Sequence, residues 1–284
     1  PGSIALADLD QDGDLEMLNP VMFGTTGVMD HTGEEVWALP YFGEDYGVAT
    51  GVDIDLSPAI IQFSTNPAWG DLDGDGRPDP MLGGASTLSL LALASTEWRE
   101  FQQPIAAWSS ASGGFLPGFP RQVEDLQFLM APAVADLNGD GSNEVVYGSA
   151  GGLLHAWNAL GISPGGWPKN TGQWILGSPA IGDVDGDGYL DVVASTREGW
   201  VFAWSTRGPA DRPVEWASQF HDAANTGNYE TSIPVQVGPP AVPAAGVPEK
   251  TGGCCKDDST AEGGLLLLLP LGLFGWGRRR QGSR

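Results

Sequence analysis

Short apolar runs separated by Gly-containing turns recur along the chain, and each run has the length of a β-strand. EVVYGS (144–149) and LLHAW (153–157) flank the turn AGG, while LDVVAS (190–195) and WVFAW (200–204) flank TREG. Two apolar runs joined by such a turn predict a β-hairpin. LSLLALA (88–94) predicts a further strand. The 42 Gly and 22 Pro residues also favour short strands over long helices.

The hairpins belong to a repeat that is marked by an acidic stretch of pattern D-x-[DN]-x-D-G-x-x-[DE]. This stretch starts at residues 8, 71, 136 and 183, and a Trp follows each copy downstream. The segments directly upstream are GSIALA (2–7), NPAWG (66–70), APAVA (131–135) and SPAIG (178–182). We expect a Pro at a strand start, where a missing N–H is harmless. Each unit therefore predicts an antiparallel sheet of about four strands. A single sheet of this size cannot bury both of its faces, so we expect the sheets to stack around an axis as a β-propeller.

Each acidic stretch has donors spaced to enclose one calcium ion. Calcium prefers six to eight oxygen ligands, which side chains at positions one, three, five and nine and the carbonyl at position seven would supply. Gly at position six permits the sharp turn. Position seven would contribute the backbone carbonyls of Asp14, Arg77, Ser142 and Tyr189. The full set of predicted ligands is Asp8, Asp10, Asp12, Asp14 and Glu16 in loop 1; Asp71, Asp73, Asp75, Arg77 and Asp79 in loop 2; Asp136, Asn138, Asp140, Ser142 and Glu144 in loop 3; and Asp183, Asp185, Asp187, Tyr189 and Asp191 in loop 4. We therefore expect about four structural Ca²⁺ ions.

Other interpretations of these loops are less favoured. An EF-hand needs Glu at position twelve, where this chain has Asn19, Leu82, Tyr147 and Ala194. Zinc prefers His and Cys ligands, and neither lies near the loops. The remaining alternative is a set of solvated Asp-Gly turns that bind no metal.

The strongly acidic composition limits the class of partner. A net charge of −23 repels nucleic-acid phosphates and anionic lipid, and it attracts divalent cations. We therefore expect no nucleic-acid partner, and contact with a membrane only through the C-terminus. Because the chain begins with Pro and shows no signal peptide, we expect upstream sequence to be missing.

The four units resemble FG-GAP/VCBS repeats, which build integrin-alpha-like β-propellers, over residues 1–230. EWASQFHDAANTGNY (215–229) is similar to the segment that often ends such propellers in secreted bacterial proteins. NPA, APA and SPA stand where the family has its G-A-P, which weakens any transfer of integrin ligand binding. The family usually has seven blades, so the resemblance implies that upstream blades are missing or that some blades lack the loop. Residues 41–65 contain SPAI without an acidic loop.

The C-terminus differs in composition from the repeats. Residues 231–252 are rich in Pro and predict an extended linker. Residues 253–284 form a predicted sorting tail with a Cys pair, an apolar run of about 12 residues and an Arg cluster, whereas a spanning helix needs about 20. With Cys254 and Cys255 in front, this tail resembles the MYXO-CTERM tails of myxobacterial surface proteins. The resemblance implies cleavage near a modified cysteine; the alternative is a short membrane tether.

No motif for catalysis is present, and we expect a structural role for His31, His155 and His221. The recurring Trp residues predict packing, with carbohydrate stacking as an alternative for some of them. We therefore predict a non-catalytic module of the cell surface or outer membrane, or one released outside the cell, that binds a protein or glycan ligand. The alternative is the accessory propeller of a secreted hydrolase or lyase whose catalytic domain lies upstream of Pro1.

Overall fold

The chain folds into β-strands throughout the part that can be described. The structure is a computed structural model, and it describes residues 3–20, 27–38, 63–85, 103–127, 130–235 and 265–266. These residues form strands β1 to β18 and contain no helix, which confirms the all-β prediction. None of the described segments is therefore a helix long and apolar enough to cross a bilayer.

The strands are arranged in four antiparallel sheets that follow the four sequence units. Sheet 1 has the order β1 (Ala5–Ala7), β2 (Glu16–Asn19), β3 (Gly27–Met29), β4 (Glu35–Ala38). Sheet 2 has the order β5 (Phe63–Ser64), β7 (Asp79–Ala85), β8 (Pro104–Ala107), β9 (Arg121–Gln122), and β6 (Ala68–Gly70) also pairs with β7.

The second half of the chain repeats the arrangement. Sheet 3 has the order β13 (Lys169–Asn170), β12 (Leu153–Trp157), β11 (Glu144–Gly148), β10 (Ala133–Ala135), β17 (Val214–Trp216). Sheet 4 has the order β14 (Ala180–Gly182), β15 (Tyr189–Ser195), β16 (Val201–Pro209), β18 (Leu265–Leu266).

The predicted hairpins are confirmed in sheets 3 and 4. β11 pairs with β12 through Val146 and Ala156, and β15 pairs with β16 through Val192 and Trp204. The prediction ended the last strand at residue 204, but β16 continues to Pro209. Its extension is held by non-local contacts: the Thr206 hydroxyl donates to the Leu190 carbonyl at 2.6 Å.

A short first strand precedes every acidic loop. β6, β10 and β14 each begin directly after a Pro, as the sequence predicts. β1 contacts β6, β6 contacts β10, and β10 contacts β14, so these inner strands lie next to one another in chain order. The described residues thus form a series of sheets; a closed propeller is not seen among them.

Residues 207–230, which we call the closing segment, run across this series of inner strands. β17 pairs with β10 and also contacts β6. The Ile181 N–H of β14 donates to the Ala217 carbonyl at 2.9 Å. The Leu6 N–H of β1 donates to the Gly227 carbonyl at 2.8 Å. One segment therefore makes contacts with the inner strand of every sheet.

Aromatic side chains fill the space between the sheets. Trp69, Trp108, Trp216 and Tyr147 are fully buried, and the Tyr147 hydroxyl donates to Thr65 Oγ1 at 2.9 Å. An aromatic side chain buries about 150–250 Å², so each one contributes roughly 4–6 kcal/mol of burial at ~25 cal/mol/Å².

The downstream Trp residues confirm the predicted packing where their side chains are described. Trp108 and Trp157 are buried, and Trp204 packs partly buried against the core. Trp69 and Trp216, which the repeat pattern did not single out, belong to the same core.

Several sequence predictions concern residues outside the described part. These are the strand at 88–94, the SPAI segment within 41–65, the linker at 231–252 beyond residue 235, and the tail at 253–284 apart from its two-residue strand β18.

Replacing Gly208 by Ala is expected to destabilise the fold by about 2 kcal/mol, because overpacked positions typically cost 1–3 kcal/mol. A Cβ at Gly208 would lie 2.0 Å from the Asp136 carbonyl oxygen, and a backbone atom cannot move aside cheaply. Gly165→Ala is the matched control, since a Cβ there meets nothing within 4 Å. Denaturant unfolding of both variants is the measurement, and equal stabilities would contradict the close approach of β16 to loop 3.

Candidate metal centres

The first carboxylate of each acidic loop organises the backbone of its own loop. In loop 4, Asp183 accepts the N–H groups of Gly186 at 2.7 Å, Asp187 at 3.2 Å and Gly188 at 3.0 Å. Asp71 of loop 2 accepts the corresponding three N–H groups at 2.7–3.1 Å. Gly186 and Gly188 have φ values of +79° and +89°, a conformation that Gly adopts without strain. The repeated Gly positions thus turn the backbone around the carboxylate.

The ninth residue ties the end of the loop back to its beginning. Its side chain is buried and lies at or near the start of the second strand, and it accepts the N–H of position two. The four pairs are Glu16 with Leu9 at 2.7 Å, Asp79 with Leu72 at 3.1 Å, Glu144 with Leu137 at 2.9 Å, and Asp191 with Val184 at 2.9 Å. Each loop therefore connects the inner strand to the second strand of its sheet.

Three of the loops bring three carboxylates together. One oxygen from each of positions one, three and nine lies within 4.8 Å of the other two. The groups are Asp8, Asp10 and Glu16; Asp71, Asp73 and Asp79; and Asp183, Asp185 and Asp191. In each group position one is partly buried, position three exposed and position nine buried. These donors are hard oxygens, so they fit Ca²⁺ or Mg²⁺ rather than zinc.

The predicted ligands at positions five and seven do not belong to the groups of three carboxylates. Asp12, Asp75 and Asp187 lie outside the carboxylate groups, and each accepts the N–H of position seven at 2.9 Å. These side chains stabilise the end of the turn. The carbonyls of Asp14, Arg77 and Tyr189 stay predicted ligands.

Loop 3 departs from the other three. The Asp136 carboxylate forms an ion pair with Arg212, and the Asn138 amide donates to Asp140 at 3.0 Å and to Glu144 at 2.9 Å. Among the described residues, loop 3 provides no group of three carboxylates. Loop 3 therefore differs from the other three in its ligand set, because Asn138 stands at position three, and the prediction of about four bound ions stays a prediction.

Burial raises the pKa of the ninth carboxyl group in loops 1, 2 and 3, which are Glu16, Asp79 and Glu144. Burial raises the pKa of Asp79 to about 7, and Asp73 adds to this rise while the Ser110 N–H opposes it. Burial likewise raises the pKa of Glu144 to about 7. For Asp73 and Asp185 burial is the largest cause of a raised pKa, and neighbouring carboxylates contribute to it. A divalent cation would remove this penalty by binding the ionised form.

Two serines that the sequence analysis missed donate hydrogen bonds to the carboxylate at position nine. The Ser110 N–H and hydroxyl donate to Asp79 Oδ1 at 3.0 and 3.3 Å, and the Ser205 hydroxyl donates to Asp191 Oδ1 at 2.8 Å. Ser205 follows Trp204 directly, and Ser110 lies two residues after Trp108. A Ser just after the recurring Trp was therefore the available signal.

The closing segment contacts every acidic loop, which the sequence did not reveal. In loop 1 the Asp8 N–H donates to Glu230 at 3.3 Å, and in loop 2 the Asp71 backbone lies close enough to the Glu215 carboxyl group to oppose the rise of its pKa. Loop 3 pairs with Arg212, and the Gly188 carbonyl of loop 4 accepts the Ala210 N–H at 2.9 Å.

The Glu215 carboxyl also accepts a hydrogen bond from the Tyr229 hydroxyl. Burial raises the pKa of Glu215, which keeps this carboxyl group closer to its neutral form.

The histidines lie in ordinary packing or surface positions. His155 is buried, stacks on Trp157 and bonds Glu124 at 2.9 Å. His221 is buried against the edge of Trp216, while His31 lies on the surface 3.5 Å from Asp14. Cys254 and Cys255 lie outside the described residues.

Comparison with known proteins gives one family match and several remote structural similarities. Residues 136–194, which include loops 3 and 4, match the model of the FG-GAP-like repeat and so support an FG-GAP repeat protein. A search of curated proteins finds no match.

The chain is similar to the computationally designed Ika4 protein at 16% identity and a TM-score of 0.37, over 72% of this chain and 92% of that one. It is also similar to the V. cholerae biofilm matrix protein Bap1 at 15% identity and a TM-score of 0.33, over 77% of this chain. The match covers 39% of Bap1.

The raised carboxyl pKa values predict that the metal-free protein loses stability as pH rises from about 4 to about 7. The pKa of Asp79 is about 7 in the folded state, against ~3.9 in an unfolded chain, so the folded state binds more protons in this interval. The free energy of unfolding should fall by about 1 kcal/mol or more as pH rises. Asp79→Asn should flatten this slope, whereas the exposed control Asp125→Asn should not. Urea unfolding after chelator treatment is the measurement, and an unchanged slope in Asp79→Asn would contradict the burial argument.

Proposed function

We propose that this protein is a non-catalytic, calcium-stabilised binding module whose sheets are blades of an FG-GAP-type β-propeller. The observation that carries this proposal is the convergence of three carboxylates within 4.8 Å in each of loops 1, 2 and 4. Backbone N–H groups of the same loops hold the first carboxylate in place before any ion binds. Such a preorganised set of oxygens has the chemistry of a Ca²⁺ site.

Electrostatics explains why these loops would need a cation. Two unit charges 4.8 Å apart repel by about 3 kcal/mol at an effective dielectric constant of ~20. Each group contains three such pairs when fully ionised, and the net charge of −23 adds to the repulsion. A divalent ion between the oxygens replaces this repulsion with attraction.

The ion would link two neighbouring strands within each sheet. Position one follows the inner strand and position nine lies at or near the start of the second strand, so an ion bound to both joins the two strands. Because the closing segment contacts the same loops, the ion would also stabilise the packing of the sheets on one another. We therefore assign calcium a structural role.

A groove of about 900 Å³ beside loop 3 has side chains that could contact a ligand. Trp167 lies in its wall with the Lys169 ammonium 5.4 Å from the indole centroid, and Arg207 is exposed at the same groove. The hydroxyls of Ser205 and Thr206 add hydrogen-bonding groups. Two cations and an indole in so acidic a chain favour a ring-shaped anionic ligand, and an acidic saccharide has this chemistry.

Export to the cell surface completes the proposal. The sorting-type tail with Cys254 and Cys255 supports attachment there, and the millimolar calcium outside cells matches the affinity of extracellular modules, roughly 10⁻⁴–10⁻³ M. The protein would then present the groove to a glycan or protein of the surroundings.

Calcium should raise the melting temperature of the chelator-treated protein, by about 1.4 kcal/mol for each site at ten times its Kd. Asp185→Asn removes one charge of loop 4 with little change in shape. We expect this variant to be more stable than the natural chain without calcium and to gain less from calcium. Asp211→Asn, an exposed acid outside the groups, is the control and should keep the full gain. No calcium-dependent shift in the natural chain would refute the proposed role of the ion.

Lys169→Gln should weaken binding of galacturonate oligosaccharides about tenfold, since a hydrogen bond to a charged group contributes ~1.5–3 kcal/mol. Arg197→Gln is a matched control, because Arg197 also lies over an indole, that of Trp174 at 4.4 Å, but outside the groove. Titration calorimetry with acidic and neutral oligosaccharides is the measurement. Equal affinities for the two classes of sugar would contradict the assignment of the groove.

A further inference from the structure

We propose that the guanidinium group of Arg212 takes the place of the metal ion in loop 3, so that the chain binds calcium in three loops and not in four. The inference rests on the proposed calcium binding of loops 1, 2 and 4. It concerns loop 3, which has Asn138 at position three and provides no group of three carboxylates among the described residues.

The first carboxylate of loop 3 has the same backbone partners as in loops 2 and 4, and it has a cation of the chain in addition. Asp136 Oδ1 accepts the Gly139 N–H at 2.7 Å, and Oδ2 accepts the Gly141 N–H at 2.9 Å. Arg212 Nη1 adds a charged hydrogen bond to the same Oδ2 atom. Asp136 is buried, whereas the Arg212 side chain is 44% exposed, so solvent screens this ion pair from the arginine side. A calcium ion would have to displace the guanidinium group from it.

At the third ligand position of loop 3, the side chain donates hydrogen bonds to its neighbours, whereas a bound ion would need an oxygen ligand there. In loops 2 and 4 this position is Asp73 or Asp185, whose carboxylate belongs to the three-oxygen group. In loop 3 the Asn138 Nδ2 atom donates to Asp140 Oδ2 at 3.0 Å and to Glu144 Oε1 at 2.9 Å. The N–H groups satisfy the carboxylates and would repel a cation placed between them.

The ninth carboxylate of loop 3 differs from those of loops 2 and 4 in that one of its donors is the side chain at position three. Glu144 Oε2 accepts the Leu137 N–H at 2.9 Å, while Oε1 accepts the Asn138 amide. Both oxygens of this buried side chain therefore have N–H partners within the protein. The charge of loop 3 is also lower, because Asn138 replaces an acid and Arg212 contributes one positive charge.

Backbone hydrogen bonds hold the turn that carries Arg212 next to loop 3. The Arg207 N–H donates to the Leu137 carbonyl at 3.0 Å, and the Ala210 N–H donates to the Gly188 carbonyl at 2.9 Å. This turn is thereby fixed between loops 3 and 4. A cation attached to the chain does not depend on the calcium concentration, so sheet 3, which carries β17 of the closing segment, should stay folded when calcium is removed.

The test is the number of calcium ions bound by the full chain, measured by equilibrium dialysis against calcium after chelator treatment. We expect three ions for the natural chain and for the control Arg207→Gln, whose side chain is exposed and whose backbone contact is kept. The double variant Arg212→Gln/Asn138→Asp restores an acid at position three and removes the guanidinium, and it should bind four.

Single substitutions at position one decide the question if the double variant does not fold. Asp183→Asn should reduce the count from three to two, whereas Asp136→Asn should leave it at three. Four ions on the natural chain, loss of an ion from Asp136→Asn, or three ions on a folded double variant would each overturn the inference alone. No bound calcium on the natural chain would overturn the proposed function together with this inference.

Discussion

The structure depends on the hydrogen bonds by which a loop wraps its own backbone around its first carboxylate. In loop 4, three N–H groups converge on Asp183 within 3.2 Å, and the turn they create brings Asp185 and Asp191 towards it. Those bonds stabilise one carboxylate and at the same time concentrate negative charge. The same local geometry thus shapes the loop and brings carboxylates together, and under our proposals a metal ion in loops 1, 2 and 4 and the Arg212 guanidinium group in loop 3 balance their charge.

The closing segment converts four local loops into one connected structure. It contacts the inner strand of each sheet and reaches the loops through Glu230, Glu215, Arg212 and the backbone of Ala210. Because each small sheet cannot bury both faces alone, stability requires these contacts between units. Ion binding and the packing of the sheets are therefore expected to be coupled, with loop 3 as the part that does not depend on calcium.

The sequence predicted the local features well, because their causes lie within a few residues. The nine-residue loops, the hairpins and the Pro that precedes an inner strand follow from Gly conformation, apolar pattern and a missing N–H. Contacts between distant residues were not predictable: Arg212 lies 76 positions after Asp136, and Ser110 lies 31 positions after Asp79. The ion pair of Asp136 with Arg212 was missed for this reason, since nothing within loop 3 indicates the arginine that pairs with it.

Anomalous diffraction from crystals grown with calcium, or with a lanthanide in its place, would test the role of the acidic loops most directly. We expect one peak in each of loops 1, 2 and 4, at about 2.3–2.6 Å from the position-one, -three and -nine oxygens for calcium, and none in loop 3. Electron density without peaks in these loops, or with peaks only at scattered surface acids, would contradict the view that the carboxylate groups are metal centres.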